Sequence, residues 1–181
     1  MTRDQLEHII RASGEITEQY DFVIIGSQSI LGSVPYPEDV FAVSMEADIY
    51  PLEAPELADE IDIAIGEGSQ FHDLNGYYAQ GVGPNTAKLP KDWMQRIHRV
   101  QNPNTRGLLG LCLDVTDLFL SKAVAGRDKD REFCMALFEH GYVALEQVLE
   151  LVPTMPLDQE EMRRLRATIR RWEKAVREAN H

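Results

Sequence analysis

The sequence has few residues that could build a covalent or metal-bound framework. Its 181 residues include only two cysteines, Cys112 and Cys134, which are too few for a disulfide framework and lack the CxxC spacing of zinc and redox sites. The five histidines are scattered, without an HxH or HxxxH pair that would support a histidine-built zinc site. We therefore expect two buried thiols and no Cys/His metal centre.

Long apolar runs are also missing. No stretch approaches the length of a membrane span, and residues 1–7 lack the apolar segment and cleavage pattern of a secretory signal. The shares of hydrophobic residues, 44%, and of charged residues, 27%, are those of an ordinary globular protein. The sequence thus predicts a soluble cytoplasmic protein without a membrane partner.

Positive charge is scarce over the whole chain and concentrated at one place. The 18 Lys and Arg residues face 30 Asp and Glu, a net charge of -12, which argues against a protein that coats nucleic acid through a general positive field. The exception is the basic stretch from Arg163 to Arg177, which carries seven cationic side chains. It could meet RNA or an acidic partner, or be a solvated helix face that Glu173 and Glu178 partly compensate.

The first part of the chain predicts a helix followed by a buried strand. Thr2 and Gln5 have the spacing of a capping box, and apolar residues recur at helical spacing until Gly14, where we expect the helix to end. Asp21–Ile25 is a short β-branched run, which predicts a buried strand. The Gly26-Ser27 pair that follows predicts a turn into a second helix.

Residues 43–50 alternate between apolar and polar side chains, which predicts a half-buried strand. Its apolar side would hold Val43, Met45, Ala47 and Ile49, and its polar side would hold Glu46 and Asp48. Further patterns predict a helix over 56–65, short strands within 66–85, strands over 97–100 and 108–113, a helix from Thr116 to Gly126, a helix over 128–139, and a helical remainder.

These elements predict an α+β protein in which the strands precede most of the helices. We expect residues 1–113 to form an α+β core and residues 114–181 to form a helical C-terminal part that packs on it, in a single compact unit.

Two carboxylates in the second strand could hold a metal. Positions i and i+2 of a strand point to the same side, so Glu46 and Asp48 would project together. Oxygen ligands of this kind suit Mg²⁺ or Mn²⁺, and magnesium usually takes one or two carboxylates together with phosphate oxygens. A solvent-facing strand with two acids is common, however, and charge pattern alone does not separate the two interpretations.

The Gly26-Ser27 turn could bind a phosphate. A strand that ends in Gly-Ser and enters a helix presents backbone N–H groups and a hydroxyl to an anion. Neither the GxxxxGK[ST] of a P-loop nor the GxGxxG of a dinucleotide fold is present. An ordinary tight turn would use the same glycine.

Together these motifs resemble a known group of enzymes. Ile25-Gly26-Ser27 followed by Glu46-Ala47-Asp48 resembles the signature of the DNA polymerase β-like nucleotidyltransferase superfamily. Residues 117–130, DLFLSKAVAGRDKD, resemble a segment of bacterial nucleotidyltransferases related to AbiEii-type toxins. Residues 76–82 and 89–93 resemble a small uncharacterised branch of that group. The resemblance covers about residues 22–141 and implies a nucleotidyltransferase-like mixed β-sheet flanked by helices, with a helical C-terminal part.

The resemblance also implies roles for individual residues. Gly26 and Ser27 would contact a nucleoside triphosphate, and Glu46 and Asp48 would bind Mg²⁺ or Mn²⁺. Lys122 would offset phosphate charge, with Arg127 and Asp130 close to the site, so that the catalytic set is Glu46, Asp48, Lys122 and Asp130 and the nucleotide-binding set is Gly26, Ser27, Lys122 and Arg127. Members of the wider group transfer nucleotides to RNA such as tRNA, to proteins or to small molecules, which implies an RNA acceptor or an antitoxin protein as partner in a toxin–antitoxin pair.

The sequence departs from the group's pattern at two points. Glu46 stands where the general pattern has Asp, and no third strand carboxylate is visible near Ile97–Val100, for which Asp130 could substitute. The alternative interpretation is therefore a catalytically silent module that binds a nucleotide or a partner. Lys122 and Arg127 could likewise be ordinary cations at a helix end, where the helix dipole favours them.

Overall fold

The computed structural model describes residues 1–180 of the chain, which divides into two compact units. The first unit contains Met1–Thr86 and Arg96–Asp114, and the second contains Ala87–Gln95 and the chain from Val115 onward. The predicted fold class is confirmed, because the chain forms one mixed sheet with flanking helices and a helical C-terminal part.

The first unit is built on a five-stranded sheet. Its strands are β1 (Asp21–Ile25), β2 (Glu46–Pro51), β3 (Tyr78–Gly81), β4 (His98–Val100) and β5 (Leu109–Cys112). The strand order is β3-β2-β1-β5-β4, with β1 central. The pairs β1–β2 and β4–β5 are antiparallel, whereas β1–β5 and β2–β3 are parallel. The β-branched run 21–25 is a buried strand, as its composition predicted, and the structure places it at the centre of the sheet.

Two helices of the first unit, α1 (Arg3–Thr17) and α3 (Ala58–Ile65), lie against one face of this sheet. Gly110 of β5 leaves room for the Ile10 side chain of α1, since an added methyl group would lie 2.5 Å from Ile10 Cδ1. Gly81 of β3 lets the backbone of Ala58 approach in the same way, at 1.9 Å from an added methyl group. The opposite face of the sheet is not covered by these two helices, but its residues Val23, Tyr50 and Leu111 are also buried.

The predicted end of the first helix is wrong. The capping box at Thr2 and Gln5 is present, but α1 continues beyond Gly14 to Thr17 and ends at Glu18, whose backbone is left-handed with φ 57°. Gly14 serves packing instead, because a methyl group there would lie 2.2 Å from the side chain of Leu108. The glycine was mistaken for a helix stop because sequence alone does not reveal the neighbour that it accommodates.

The predicted start of the second strand is also wrong. A short helix α2 (Asp39–Ala42) precedes β2, which begins only at Glu46. Val43 and Met45 are exposed, 78% and 54%, and take no part in the buried side of the strand. Ala47 and Ile49 are buried as predicted. The alternating pattern continued by chance into the connecting segment.

Other elements match the sequence to different extents. The turn after β1 leads into a six-residue 3₁₀-helix, Ser27–Gly32, and the predicted helix over 56–65 is a 3₁₀ turn at Pro55–Leu57 followed by α3. Within residues 66–85, where strands were expected, helix α4 (Gln70–Asn75) precedes the single strand β3.

The second unit is helical. It contains α5 (Val115–Ala125), α6 (Asp128–Glu139), α7 (Leu145–Leu151) and α8 (Gln159–Ala179). Helix α8 buries one side chain at nearly every turn, namely those of Leu165, Ile169, Trp172 and Val176. Both cysteines of the chain are buried and unpaired, as predicted. No helix within residues 1–180 combines the length and the apolar character that crossing a bilayer requires.

Candidate active site

Glu46 and Asp48 lie on β2 and share one face of the sheet. In the register, Asp48 is paired with Ile25 of β1 and with Gln80 of β3, and Glu46 is paired with Tyr78 of β3. Because cross-strand partners point to the same side, Glu46, Asp48, Tyr78 and Gln80 form one polar group, which we call the acidic face. Ala47 and Ile49 alternate with the two acids and point to the side of α3. The acidic face is therefore the side that α1 and α3 leave uncovered.

The Gly26-Ser27 turn meets Asp48. A methyl group added at Gly26 would lie 1.9 Å from Asp48 Oδ2, so the carboxylate of Asp48 rests directly against the glycine backbone. Gly26 has φ 69° and ψ -170°, a conformation that is essentially restricted to glycine. Only glycine satisfies both the backbone angle and the close approach at this position.

Local hydrogen bonds fix the shape of this turn. The carbonyl oxygen of Gly26 accepts a hydrogen bond from the Ser29 backbone N–H at 3.2 Å and another from the Ser29 hydroxyl at 2.9 Å. Ser27 then begins the 3₁₀-helix and is half-buried beside the glycine. The structure thus brings Gly26, Ser27, Glu46 and Asp48 together at one end of β1.

Glu46 has a hydrogen-bond partner that the sequence did not suggest. The Tyr78 hydroxyl donates to Glu46 Oε2 at 3.1 Å. Burial, together with the charge of Glu46 and the hydrogen bond to it, raises the pKa of Tyr78 to about 12. The hydroxyl therefore keeps its proton and acts as a donor at neutral pH. Only the register of two strands that are 32 positions apart in sequence reveals this contact, so no local motif could have found it.

The position beside Asp48 on the neighbouring strand carries no carboxylate. It is occupied by Gln80, which is exposed. Asp114, which follows β5, is hydrogen-bonded to His98, with 3.0 Å between Asp114 Oδ2 and His98 Nε2. His98 is paired with Cys112, and Cys112 with Ile24, so His98 lies on the opposite face from Asp48 and its partner Ile25. The four residues of the acidic face therefore comprise two carboxylates, one neutral amide and the hydroxyl of Tyr78.

These two carboxylates fit a magnesium or manganese ion whose remaining ligands come from a bound substrate. Among residues 1–180, no group of three or more His, Cys, Asp or Glu side chains is arranged to hold a metal. Two carboxylates on one strand, with one of them against a Gly-Ser turn, are too few for a resident all-protein site. They correspond to the one or two carboxylates that magnesium uses when phosphate oxygens supply further ligands.

The other predicted site residues lie in the second unit and contact each other. Lys122 Nζ is 3.1 Å from Asp130 Oδ1, and Arg127 Nε is 2.6 Å from Asp130 Oδ2. The Lys122 and Asp130 side chains are buried, 8% and 0% exposed, whereas that of Arg127 is 60% exposed. Lys122 also lies over the ring of Phe133, 4.9 Å from its centre. We call Lys122, Arg127 and Asp130 the Lys122 cluster.

The electrostatics of this cluster favour an ionised Asp130. Burial by itself would raise the pKa of Asp130, but the hydrogen bonds from Arg127 and the charge of Lys122 outweigh it and hold the pKa below its ordinary value. Two cations contact this one carboxylate, and Arg127 is the exposed member of the cluster. Such an arrangement can attract an anion.

The basic stretch of the sequence forms much of α8. Two of its cations pair with one acid, since Arg163 and Arg164 both bond Glu160 at 2.8 Å. Arg170 and Arg171 are exposed, and Arg171 lines a surface cavity of about 450 Å³ that Arg131 of α6 also lines. The second unit therefore has a basic surface on a chain that is acidic as a whole.

Glu7 is a buried carboxylate outside these groups. Its oxygens accept hydrogen bonds from the side-chain amides of Asn102 and Asn104, both at 2.7 Å, and from Arg3 at 2.9 Å. Burial would raise the pKa of Glu7, but these three donors hold it below its ordinary value. Its oxygens are bound within the first unit, which indicates that Glu7 ties α1 to the loop after β4.

One family of known sequences matches the chain over almost its entire length. The model of the family described as "Nucleotidyltransferase of unknown function (DUF6036)" matches residues 4–180. No curated protein and no solved structure matches the chain.

Proposed function

Because this chain belongs to the family of nucleotidyltransferases of unknown function described above, we propose that it transfers a nucleotide from a nucleoside triphosphate to a macromolecular acceptor, with Mg²⁺ or Mn²⁺ as cofactor. The observation that carries the proposal is the contact between Asp48 and Gly26, with Glu46 on the same face of β2. It brings the carboxylates and the turn, which are separated in sequence, to the same end of the central strand.

Each residue of the acidic face would have a distinct task. Glu46 and Asp48 would supply carboxylate oxygens for the metal ion, and the backbone at Gly26 and Ser27 would hold phosphate oxygens of the triphosphate. A bound Mg²⁺ neutralises phosphate charge that develops during the transfer. Phosphoryl transfer needs mainly position and charge stabilisation, and residues of β1, β2 and the turn between β1 and the 3₁₀-helix would contribute both.

The reaction follows from the chemistry of the triphosphate. An acceptor hydroxyl oxygen forms a bond to the α-phosphorus, the bond from that phosphorus to the leaving pyrophosphate oxygen breaks, and the hydroxyl proton passes to water or to a carboxylate. A separate part of the proposal concerns Lys122, Arg127 and Asp130. As the resemblance implies, Lys122 would offset phosphate charge, with Arg127 and Asp130 close to it. The Lys122 cluster brings two cations, Lys122 and Arg127, to one place, which supports a role in holding phosphate.

RNA is the acceptor class that the charge distribution favours. The chain as a whole carries a net charge of -12, yet α8 has seven Lys and Arg residues against four Glu. Phosphate backbones bind to such surfaces by releasing counterions.

The resemblance of residues 117–130 to AbiEii-related proteins supports a role as the toxin of a toxin–antitoxin pair. Growth arrest on induction of the wild-type protein, and normal growth with Asp48→Asn, would be the expected result in cells.

The test of the proposed activity is label transfer from each α-labelled nucleoside triphosphate, with Mg²⁺ or Mn²⁺, into total RNA and into extract protein. Asp48→Asn and Glu46→Gln should each lower the rate by about 10²- to 10³-fold, as the loss of one electrostatic group in a site does. Asp59→Asn is the matched control, because Asp59 is an exposed carboxylate on α3, on the other side of the sheet. Full transfer by both site variants would exclude the assigned site.

Calorimetry combined with the label-transfer assay separates the alternative of a silent module. That alternative predicts that the wild-type protein binds a triphosphate in calorimetry but transfers no label with any metal or acceptor. Gln80, in the place beside Asp48, is the observation that favours it. Label in protein with none in RNA would identify a protein acceptor instead.

A further inference from the structure

We propose that Tyr78 is a positioning residue for the metal ligand Glu46: its hydroxyl holds Glu46 Oε2, so that the other carboxylate oxygen faces the metal ion. The inference rests on the proposed function, since it concerns the same metal site. Its basis is the 3.1 Å hydrogen bond from Tyr78 Oη to Glu46 Oε2, between residues that are paired in the sheet.

The hydrogen bond offers a reason why a glutamate can occupy this position. Glu46 is longer than aspartate by one methylene and has one more rotatable bond, so fixing its carboxylate costs more conformational entropy. A hydrogen bond to one oxygen leaves a single oxygen, in a defined orientation, for a metal. Carboxylate ligands of metals are commonly held in this way by a neighbouring donor.

Tyr78 is itself held in place by the segment that precedes it. Its ring lies 4.6 Å from the ring of His72, centre to centre. His72 Nδ1 accepts a hydrogen bond from the Gly68 backbone N–H at 3.0 Å, and the His72 backbone N–H donates to the Ser69 hydroxyl at 3.1 Å. The start of α4 therefore fixes His72, His72 supports Tyr78, and Tyr78 orients Glu46. Each contact in this series lies within the first unit.

The direct test measures metal binding without catalysis. Mn²⁺ affinity is determined by electron paramagnetic resonance with a non-hydrolysable nucleoside triphosphate analogue present, for the wild-type protein and for Tyr78→Phe. We expect Tyr78→Phe to weaken Mn²⁺ binding by about 10-fold, the lower end of the range for partners of metal ligands. The ring and its contact with His72 remain, so a denaturant midpoint near that of wild type is expected.

The neighbouring tyrosine provides a matched control. Tyr77 also has a bound hydroxyl, 2.6 Å from His8 Nδ1, and is 9% exposed. Tyr77→Phe deletes the same atom one residue earlier in the chain and should leave Mn²⁺ affinity within about twofold of wild type, because its partner is not a metal ligand. An equal loss in both variants would mean a general effect on β3, and would overturn the inference.

A double-mutant cycle adds a readout that a purely structural role would not change. In the Glu46→Asp background the shorter side chain no longer reaches the tyrosine, so adding Tyr78→Phe should change Mn²⁺ affinity by less than about twofold. An undiminished tenfold loss in that background would overturn the inference.

The results also separate this inference from the proposed function. A wild-type protein that binds no Mn²⁺ with the analogue would refute the metal site and the inference together. A wild-type protein that binds Mn²⁺, with Tyr78→Phe binding it equally tightly or more tightly, would refute only the role of Tyr78.

Discussion

The acidic face and the Lys122 cluster both gather charged residues that are separated in sequence, but they do so in opposite ways. On the acidic face, Glu46 and Asp48 are half-buried on a strand, and their positions follow from the register of β1, β2 and β3. In the Lys122 cluster, Lys122 and Asp130 are almost fully buried, and each neutralises the charge of the other.

This difference indicates which charged residues contribute to the stability of the fold. A buried ion pair becomes costly when one partner is removed, because the remaining charge has lost both water and its counterion. Half-exposed acids on a strand keep part of their hydration and repel each other. Substitutions in the Lys122 cluster should therefore lower stability, whereas substitutions of the two acids should lower activity and leave stability nearly unchanged.

The largest stability effect is expected for Asp130→Ala. Removal of this carboxylate leaves Lys122 buried without its ion pair, and we expect the free energy of unfolding to fall by about 3–5 kcal/mol. Urea denaturation measures this change in the free energy of unfolding. Arg127→Gln is the control and should cost no more than about 1 kcal/mol, because the Arg127 side chain is mostly exposed. If Asp130→Ala were as stable as the control, the buried pair would not support the second unit.

Gly26→Ala should affect both stability and activity, to an intermediate extent. The backbone conformation alone costs a non-glycine residue about 1–3 kcal/mol, and the added methyl group would displace Asp48. A displacement of about 1 Å can lower the rate of transfer by about 10²-fold.

Gly107→Ala is the matched control for that substitution. Gly107 also has a positive φ, 78°, but no atom lies within 4 Å of the place of the added methyl group. It should share the loss of stability and keep the activity. Equal activities of the two alanine variants would show that the contact between Gly26 and Asp48 has no functional role.

The smallest expected effect is that of Gln80→Glu, which would add a third carboxylate beside Asp48. Without metal, the pair of like charges across β2 and β3 should cost about 0.2–1 kcal/mol. With Mn²⁺ and the triphosphate analogue, the additional oxygen ligand should tighten metal binding several-fold. The tighter binding should then make the variant at least as stable as the wild-type protein. A variant that is destabilised equally with and without Mn²⁺ would place the metal away from Gln80.

Local patterns predicted most of the elements, because capping residues, β-branched runs and helical periodicity act within a few residues. The capping box at Thr2, strand 21–25 and helix 128–139 are present as predicted. Where prediction failed, the deciding contact was distant in sequence. Gly14 lies inside α1, where it makes room for Leu108, and no pattern near Gly14 indicates that neighbour.

In the candidate site, too, local patterns were predicted and contacts between residues distant in sequence were not. The strand periodicity of Glu46 and Asp48 was visible in the sequence, although the strand begins later than expected. Their partners Tyr78 and Gln80 were not visible, because the pairing of β2 with β3 depends on the intervening helices α3 and α4. Residues 66–85 were expected to form strands, and α4, which supports Tyr78 through His72, was missed.

The second unit is assembled from two separate stretches of the chain, which limits where the chain can be divided. Residues 87–95 leave the first unit, contribute to the second and return, with the Lys91 backbone N–H bonded to the carbonyl of Thr154 at 2.9 Å. A gene fragment that ends after residue 114 would encode that excursion without its hydrogen-bond partner. No single cut of the chain therefore separates the two units, and expressing the helical unit alone would require residues 87–95 to be supplied together with the chain from Val115 onward.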